Sequence, residues 1–295
     1  MVLVTIIDVS FRWDWLRPVV SVPYAPTLGA VRPQALSADL FNAVVSVAGT
    51  GRFLPYDKDQ RWSSAKDERV LTQEIIHRPG LTVIPTLSTR GRGLLKIHHY
   101  GPEKPDAVQA AEWSHAWCTA YGAKAARLIW FANTNQNART RLMHKTFDAR
   151  DQADQGSSVI SLTDCPHAST FGAFAEEIGP QGFTFLHQRM KSGIHDGPVL
   201  VTVEANRIVG AIGPLTTMTD ATGAVIQPPQ YFAVHPDYRG RGHGRALWRA
   251  SMAWGRANGA QHKVLQASAG TAAEALYLSE GLTTLGFLHA AELAG

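Results

Sequence analysis

Cysteine is almost absent from this chain. Cys118 and Cys165 are the only two among 295 residues, too few for a disulfide framework and without the paired spacing of a metal site. A reducing compartment, the cytoplasm, is the expected setting. Long apolar runs are missing too, since no stretch reaches the roughly eighteen consecutive apolar residues of a membrane span. Residues 1–10 carry Asp8 and no basic residue ahead of their apolar ones, so they read neither as an anchor nor as a signal peptide. Charge is sparse, at 18% of residues, and unevenly spread. Residues 1–150 hold 19 Lys and Arg against 12 Asp and Glu, a net +7, whereas residues 151–295 hold 9 against 12, a net −3. Scattered arginines make the basic half a solvated face in the plainest reading, with a docking surface or a nucleic-acid surface as alternatives.

What the chain does have is enough apolar residue, 45%, for two domains of ordinary size, and one glycine-rich turn in a telling context. Gln230-Tyr231-Phe232-Ala233-Val234 reads as a short strand that His235-Pro236-Asp237-Tyr238 ends, because proline cannot continue a central ladder. Ala246, Leu247, Ala250, Ala253, Trp254 and Ala257 then recur at helical spacing, which predicts an amphipathic helix over 243–258 with Gly259 as its stop. Between the two lies Arg239-Gly240-Arg241-Gly242-His243-Gly244-Arg245. Its glycines remove the β-carbons that would hold a ligand away from the backbone amides. Those amides sit at a helix N-terminus carrying about half a unit of positive charge, suited to a pyrophosphate.

The Walker pattern requires Lys then Ser or Thr where Arg245-Ala246 stands, and the dinucleotide pattern requires a glycine spacing that Gly240, Gly242 and Gly244 do not have. The arrangement that fits is Arg239-x-x-Gly242-x-Gly244 directly after Val234-His235-Pro236, which resembles the acyl-coenzyme A pyrophosphate loop of the GNAT superfamily of N-acyltransferases. The likeness continues through a strand, Lys263–Ala267, and a short helix, Thr271–Glu280, that holds Tyr277 where the family has a tyrosine. It covers roughly residues 157–290. The chain departs from the family at Gly270, where an asparagine is common.

Residues 106–147 look like a decayed copy of the same helix, strand and helix. Trp117-x-x-Ala120-x-Gly122-Ala123 matches Trp254-x-x-Ala257-x-Gly259-Ala260 at a constant offset of 137. Each is followed by an apolar strand, Ala126–Phe131 in the first case, and then by a short helix, expected from about Gln136 to Phe147. The first copy lacks the chemistry: His98-His99-Tyr100-Gly101-Pro102-Glu103-Lys104-Pro105 puts prolines and an acid where open amides are needed, so it should not bind coenzyme A. A polar linker, Asp148–Ser158, joins the copies. The expected fold is therefore mixed α/β: two tandem GNAT-like lobes, each a mostly antiparallel twisted sheet flanked by helices. Residues 1–150 form a basic, degenerate lobe that is structural or binds the acceptor, and residues 151–295 the catalytic domain, a layout similar to mycothiol synthase. Only about nine residues follow Gly286, which predicts a short or missing final strand and completion of the sheet by the partner lobe. Phe11–Pro33, with four prolines and Trp13, Trp15 and Tyr24, reads as a packed loop or an arm lining a pocket.

Within the second copy, helices are expected at Thr170–Glu177 and Phe183–Lys191, then a hairpin, Val199–Glu204 and Arg207–Ile212, turning at Ala205-Asn206. The resemblance implies an acetyl-coenzyme A (or other acyl-coenzyme A) co-substrate and direct attack by a primary amine of a small molecule within a ternary complex. Phe232, Ala233 and Val234 would hold the pantetheine arm, Arg239, Gly240, Arg241, Gly242, His243, Gly244 and Arg245 the pyrophosphate, and Tyr277 would protonate the departing thiolate. Glu204, His235 and Glu274 are alternative general bases, with water as a relay. Adjacent His98 and His99 point to opposite faces of a strand, so no metal site is expected. Two other functions remain open: an aminoacyl transferase of the same fold that takes its acyl group from charged tRNA, which salt would weaken steeply, and a non-catalytic acyl-coenzyme A sensor, which would tolerate Tyr277→Phe.

Overall fold

The computed structural model describes residues 68–78, 81–88, 93–100, 105–132, 140–152, 158–179, 182–219 and 223–293. The proline-rich arm Phe11–Pro33, residues 101–104 of the first-half loop and residues 153–157 of the linker lie outside the described residues. In chain order come β1 (Glu68–Val70), β2 (Ile76–Arg78), β3 (Leu81–Ser88), β4 (Leu94–Tyr100), α1 (Ala107–Tyr121), β5 (Ala125–Ala132) and β6 (Thr140–Thr146). Then follow β7 (Val159–Ser161), α2 (Phe171–Glu177), α3 (Phe183–Lys191), β8 (Leu200–Glu204), β9 (Arg207–Gly213), β10 (Met218–Thr219), β11 (Val225–Gln227), β12 (Tyr231–Val234) and α4 (His243–Ala257). The chain closes with β13 (His262–Ser268), α5 (Ala272–Ser279) and β14 (Thr283–Leu293). No helix among the described residues is long and apolar enough to cross a membrane.

These elements form two compact units. Among the described residues, one takes Glu68 to Lys145, Gly223, and Val264 to Leu293; the other takes Thr146–Thr219 and Ala224–Lys263. β14 joins residues of the end of the chain to the first unit: it pairs antiparallel with β5 from Phe287↔Ala132 to Leu293↔Ala126 on one side, and with β6 on the other.

In the first unit the strand order is β1-β3-β4-β5-β14-β6-β13, with β2 also on β3. β3 pairs antiparallel with β1, β2 and β4, and β14 pairs antiparallel with β5 and β6, whereas β4 and β5 run parallel from Leu94↔Ala125 to His99↔Trp130. Alternate residues of these strands, Leu95 and Ile97 on β4 and Ala126 and Leu128 on β5, join Ala110, Trp117 and Cys118 of α1 in one buried cluster. Each large apolar side chain so buried stabilises the fold by roughly 1.5–3 kcal/mol. Glu74 fastens the same helix, accepting from Trp117 Nε1 and Tyr121 Oη at 2.8 Å each.

Two sequence expectations are corrected here. Instead of a helix near 136–147, residues 140–146 are a strand, since Leu142, Met143 and His144 are buried in succession and β14 supplies its backbone partners. Short apolar runs do not distinguish helix from strand by periodicity. The final strand is not short either. β14 begins three residues before Gly286, passes an irregularity between Thr284 and Gly286, and runs for 11 residues. The expected sharing of strands does occur: along β5-β14-β6-β13, strands of the first half alternate with strands from the end of the chain.

The second unit has an antiparallel four-stranded sheet, ordered β12-β9-β8-β7. Its hairpin β8–β9 turns through Ala205 and Asn206, both in the left-handed region at φ 49° and 59°, as a two-residue turn requires. Phe171, Phe174 and Phe183 of α2 and α3 pack with centroids 5.5–6.3 Å apart and bury against Val201, Ile208 and Ala211 of the sheet. β11 pairs antiparallel with β10 and in parallel with the first residues of β13, Ile226↔His262 and Gln227↔Lys263. Helix α4 buries Leu247, Trp248, Ser251, Met252 and Ala253. Gly210 of β9 makes room for it: a β-carbon there would lie 2.8 Å from both Leu247 Cδ1 and Thr202 Oγ1.

Candidate active site

The strand, turn and helix expected around the glycines form within the second unit. β12 pairs with β9 from Tyr231↔Gly213 to Val234↔Gly210 and is the edge of its sheet; no described strand joins its other side. Pro228, Pro229 and Gln230 carry the chain from β11, beside β13, to β12 in the other sheet. The crossing is pinned from inside. The wholly buried Lys263 ammonium donates to Pro228 O at 2.7 Å and to Gln230 Oε1, and lies 5.9 Å from the Trp248 ring centroid. Gln227 and Gln230 both donate to Ser251 Oγ at 3.2 Å. A lysine inside Lys263-Val264-Leu265 was the signal that sequence reading passed over.

After Val234 the chain makes a short 3-10 turn, Pro236–Tyr238, and enters α4 through Gly240 at φ 80° and Gly242 at φ 90°. Gly242 is the N-cap and supplies no side-chain cap, and a β-carbon at either glycine would meet nothing within 4 Å. The amides of the first helical turn therefore face an open approach at the positive end of the helix. Gly244 lies beside the edge strand, where a β-carbon would sit 3.6 Å from Phe232 and 3.7 Å from Val234. Arg239 Nε donates to Val234 O at 3.1 Å, which ties turn to strand. Ala233 is buried beneath, while Phe232 packs on Trp248 at 6.4 Å.

Glu204 lies at this loop, in a fastening role. One carboxylate oxygen accepts from Arg241 Nη1, and the other lies 2.7 Å from His243 Nε2, which must carry the proton there. The His243 hydrogen bond first, and the Arg241 pair with it, hold the Glu204 carboxyl below its ordinary range against the opposing effect of desolvation. Such a carboxylate is a weaker base than a free one. His235 is similarly engaged: Nδ1 accepts from the Asp237 N–H at 3.3 Å, and Nε2 lies 3.2 Å from Glu177, which also binds Arg207 at 2.5 Å. Both ring nitrogens hold the turn in place. The Glu177–Arg207–His235 group carried no local sequence signal because it joins separate elements, and the bidentate Arg189–Asp196 pair, at 2.7 Å through both nitrogens, ties α3 to the loop that follows it.

Tyr277 is placed in the first unit, on α5, whose N-cap Thr271 accepts from Glu274 N at 3.3 Å. The phenol is buried, and burial pushes its pKa well above the ordinary value, so it stays protonated at neutral pH. Glu274 is occupied by Arg141 at 2.5 Å and by the Gly270 N–H at 2.7 Å. Burial alone would raise its carboxyl, but these two partners more than offset that and hold it low. Gly270 thus uses its backbone N–H to hold Glu274. On β4, His98 is fully buried with Nε2 3.3 Å from Thr86 Oγ1, and burial, aided by Lys96, lowers its pKa to about 3.

Residues 195–281 match the acetyltransferase (GNAT) domain family. Among solved structures the chain is similar to a GCN5-related N-acetyltransferase from Sphaerobacter thermophilus, at 16% identity over 96% of this chain and 92% of that one, with a TM-score of 0.52. It is also similar to a GNAT-family acetyltransferase from Colwellia psychrerythraea, at 11% identity over 87% and 96% of the chains and a TM-score of 0.48. A third is a tandem GNAT protein from the clavulanic acid biosynthesis pathway, at 12% identity over 83% and 91% and a TM-score of 0.46. No curated protein matches the sequence. The domain match, with the Sphaerobacter likeness for the fold, identifies a GNAT-type acetyltransferase domain within a mixed α/β chain.

Proposed function

From the premise that residues 195–281 form a GNAT acetyltransferase domain, we propose that the protein moves an acetyl or other short acyl group from acyl-coenzyme A to a primary amine of a small molecule. The observation that carries this reading is the uncapped, glycine-opened N-terminus of α4 beside the edge strand β12. A pyrophosphate is the ligand for such a terminus, with Arg239, Arg241 and Arg245 supplying cations around residues 240–244. An edge strand is the partner for an amide-bearing arm, which would add alongside Phe232, Ala233 and Val234 much as a strand would.

In the reaction, the amine nitrogen attacks the thioester carbonyl carbon; the C–N bond forms, the C–S bond breaks, the nitrogen loses a proton and the sulfur gains one. Both substrates are held together, so no enzyme nucleophile intervenes. Tyr277 is the proposed partner of the leaving sulfur. Its burial keeps the phenol protonated and makes it a hydrogen-bond donor first and a weak acid second. Glu204, His235 and Glu274 are all held by other groups, so the amine proton leaves through water.

Calorimetric titration with acetyl-coenzyme A tests the proposal, with Gly242→Glu beside the wild type and tRNA as a second ligand at low and moderate salt. A carboxylate at Gly242, in a conformation that side chains resist at φ 90°, should weaken binding by at least about a hundredfold. Salt-sensitive tRNA binding without any cofactor binding would instead favour an acyl donor carried on tRNA.

A further inference from the structure

Gly242 sits between Arg241 and His243, and a glycine at φ 90° with open space around it has little steric reason to hold one orientation. Gly242, the N-cap, has no side chain to cap the helix. The two neighbouring side chains, however, converge on a single carboxylate from another element. Glu204 is the last residue of β8, in register with Arg207 across a two-residue turn, so its backbone is set by the sheet. One of its oxygens takes Arg241 and the other takes His243 at 2.7 Å. Arg241 is further restrained by Asp237 O at 3.1 Å and by stacking 4.9 Å over Tyr238.

We infer that Glu204 is a positioning residue: through Arg241 and His243 it holds the peptide groups on both sides of Gly242 in the orientation that receives the cofactor's pyrophosphate. The inference rests on the acyl-coenzyme A reading above. Glu204 also brings a negative charge near an anion site, an opposing effect. That charge is neutralised by its arginine partner, and its side chain is 35% exposed, so water and salt screen what remains. Orientation of the loop outweighs repulsion.

The test measures acetyl-coenzyme A affinity by calorimetry for the wild type, Glu204→Gln, Glu204→Ala, an Arg241→Ala/His243→Ala double variant, and that double variant with Glu204→Ala added. Glu204→Ala should weaken binding by about tenfold, from the loss of two charge-assisted contacts. Glu204→Gln, which keeps the shape and an acceptor for Arg241, should recover part of that loss. Added to the double variant, Glu204→Ala should cost less than about twofold more, because it acts only through those two partners. Melting curves of each variant confirm that the protein binding the ligand is folded, and Glu204→Gln keeps the comparison decidable where a multiple variant does not fold. Unchanged or tighter binding by Glu204→Ala, or an undiminished loss in the double-variant background, would overturn the inference and leave the acyltransferase reading intact. A wild type that binds no acetyl-coenzyme A would overturn that reading itself.

Discussion

The two strand–helix–strand segments of this chain close their helices alike and open them differently. α1 and α4 each span 15 residues. Each closes on a left-handed glycine, Gly122 at φ 68° and Gly259 at φ 82°, and in each the following alanine returns its N–H five residues back, Ala123 to Cys118 O at 3.1 Å and Ala260 to Gly255 O at 2.9 Å. The N-termini differ. Asp106 caps α1 with its own carboxylate, accepting from Gln109 N at 2.8 Å, whereas α4 begins at Gly242 with no side-chain cap. The strands differ as well: β4 pairs in parallel with β5, while β12, the strand before α4, is the edge of a separate sheet. One segment has satisfied its anion site and its strand edge from within. The other leaves its helix terminus without a side-chain cap and its strand at an edge.

The largest expected effect breaks the closed state of the first segment. β5 is covered on one side by β4 and on the other by β14, and Leu288, paired with Phe131, is buried at 8% exposure. Leu288→Asp places a carboxylate inside that sheet and should cost at least about 3 kcal/mol, enough to unfold a protein of marginal stability. Urea denaturation followed by circular dichroism measures it. A change under about 1 kcal/mol would mean that β14 is not needed to close β5.

Next in size is a pH effect seated on β4. With His98 lowered to about 3 by burial, the unfolded chain binds a proton below its ordinary value near 6.5 that the folded chain refuses. The sign follows: stability is fully present above about pH 6.5 and is lost as pH falls from there toward 3. Between pH 7 and pH 5 this one histidine should withdraw about 2 kcal/mol. His98→Gln should flatten that slope in urea titrations at the two pH values; an identical slope would show that His98 is not the group responsible.

What the sequence disclosed and what it hid separate along physical lines. The loop, α4 and the hairpin turn at Ala205-Asn206 were legible because glycine placement and helical periodicity are local properties, and the helix-closing glycines were legible at their shared offset. The strand at Thr140–Thr146 was hidden because Leu142, Met143 and His144 suit either element, and the partner that decides it, β14, lies about 140 residues away. Glu204 was visible as a carboxylate near the site. Its employment was not, since Arg241 and His243 reach it across 37 and 39 residues.

The smallest expected effect tests the comparison where the two helices differ most simply. Asp106→Ala removes the carboxylate that accepts from Gln109 N, and a lost cap of this kind costs about 1 kcal/mol. It should lower the melting temperature by a few degrees and leave acetyl-coenzyme A affinity unchanged. Opening the terminus should not create a second binding site, because β4 stays paired with β5 and offers no edge for the arm of the cofactor. Calorimetry of this variant decides which difference matters more. A number of sites equal to the wild type's would mean that the paired strand excludes the ligand. A second site of measurable affinity would mean that the cap alone had closed the first segment, and that its strand pairing is incidental.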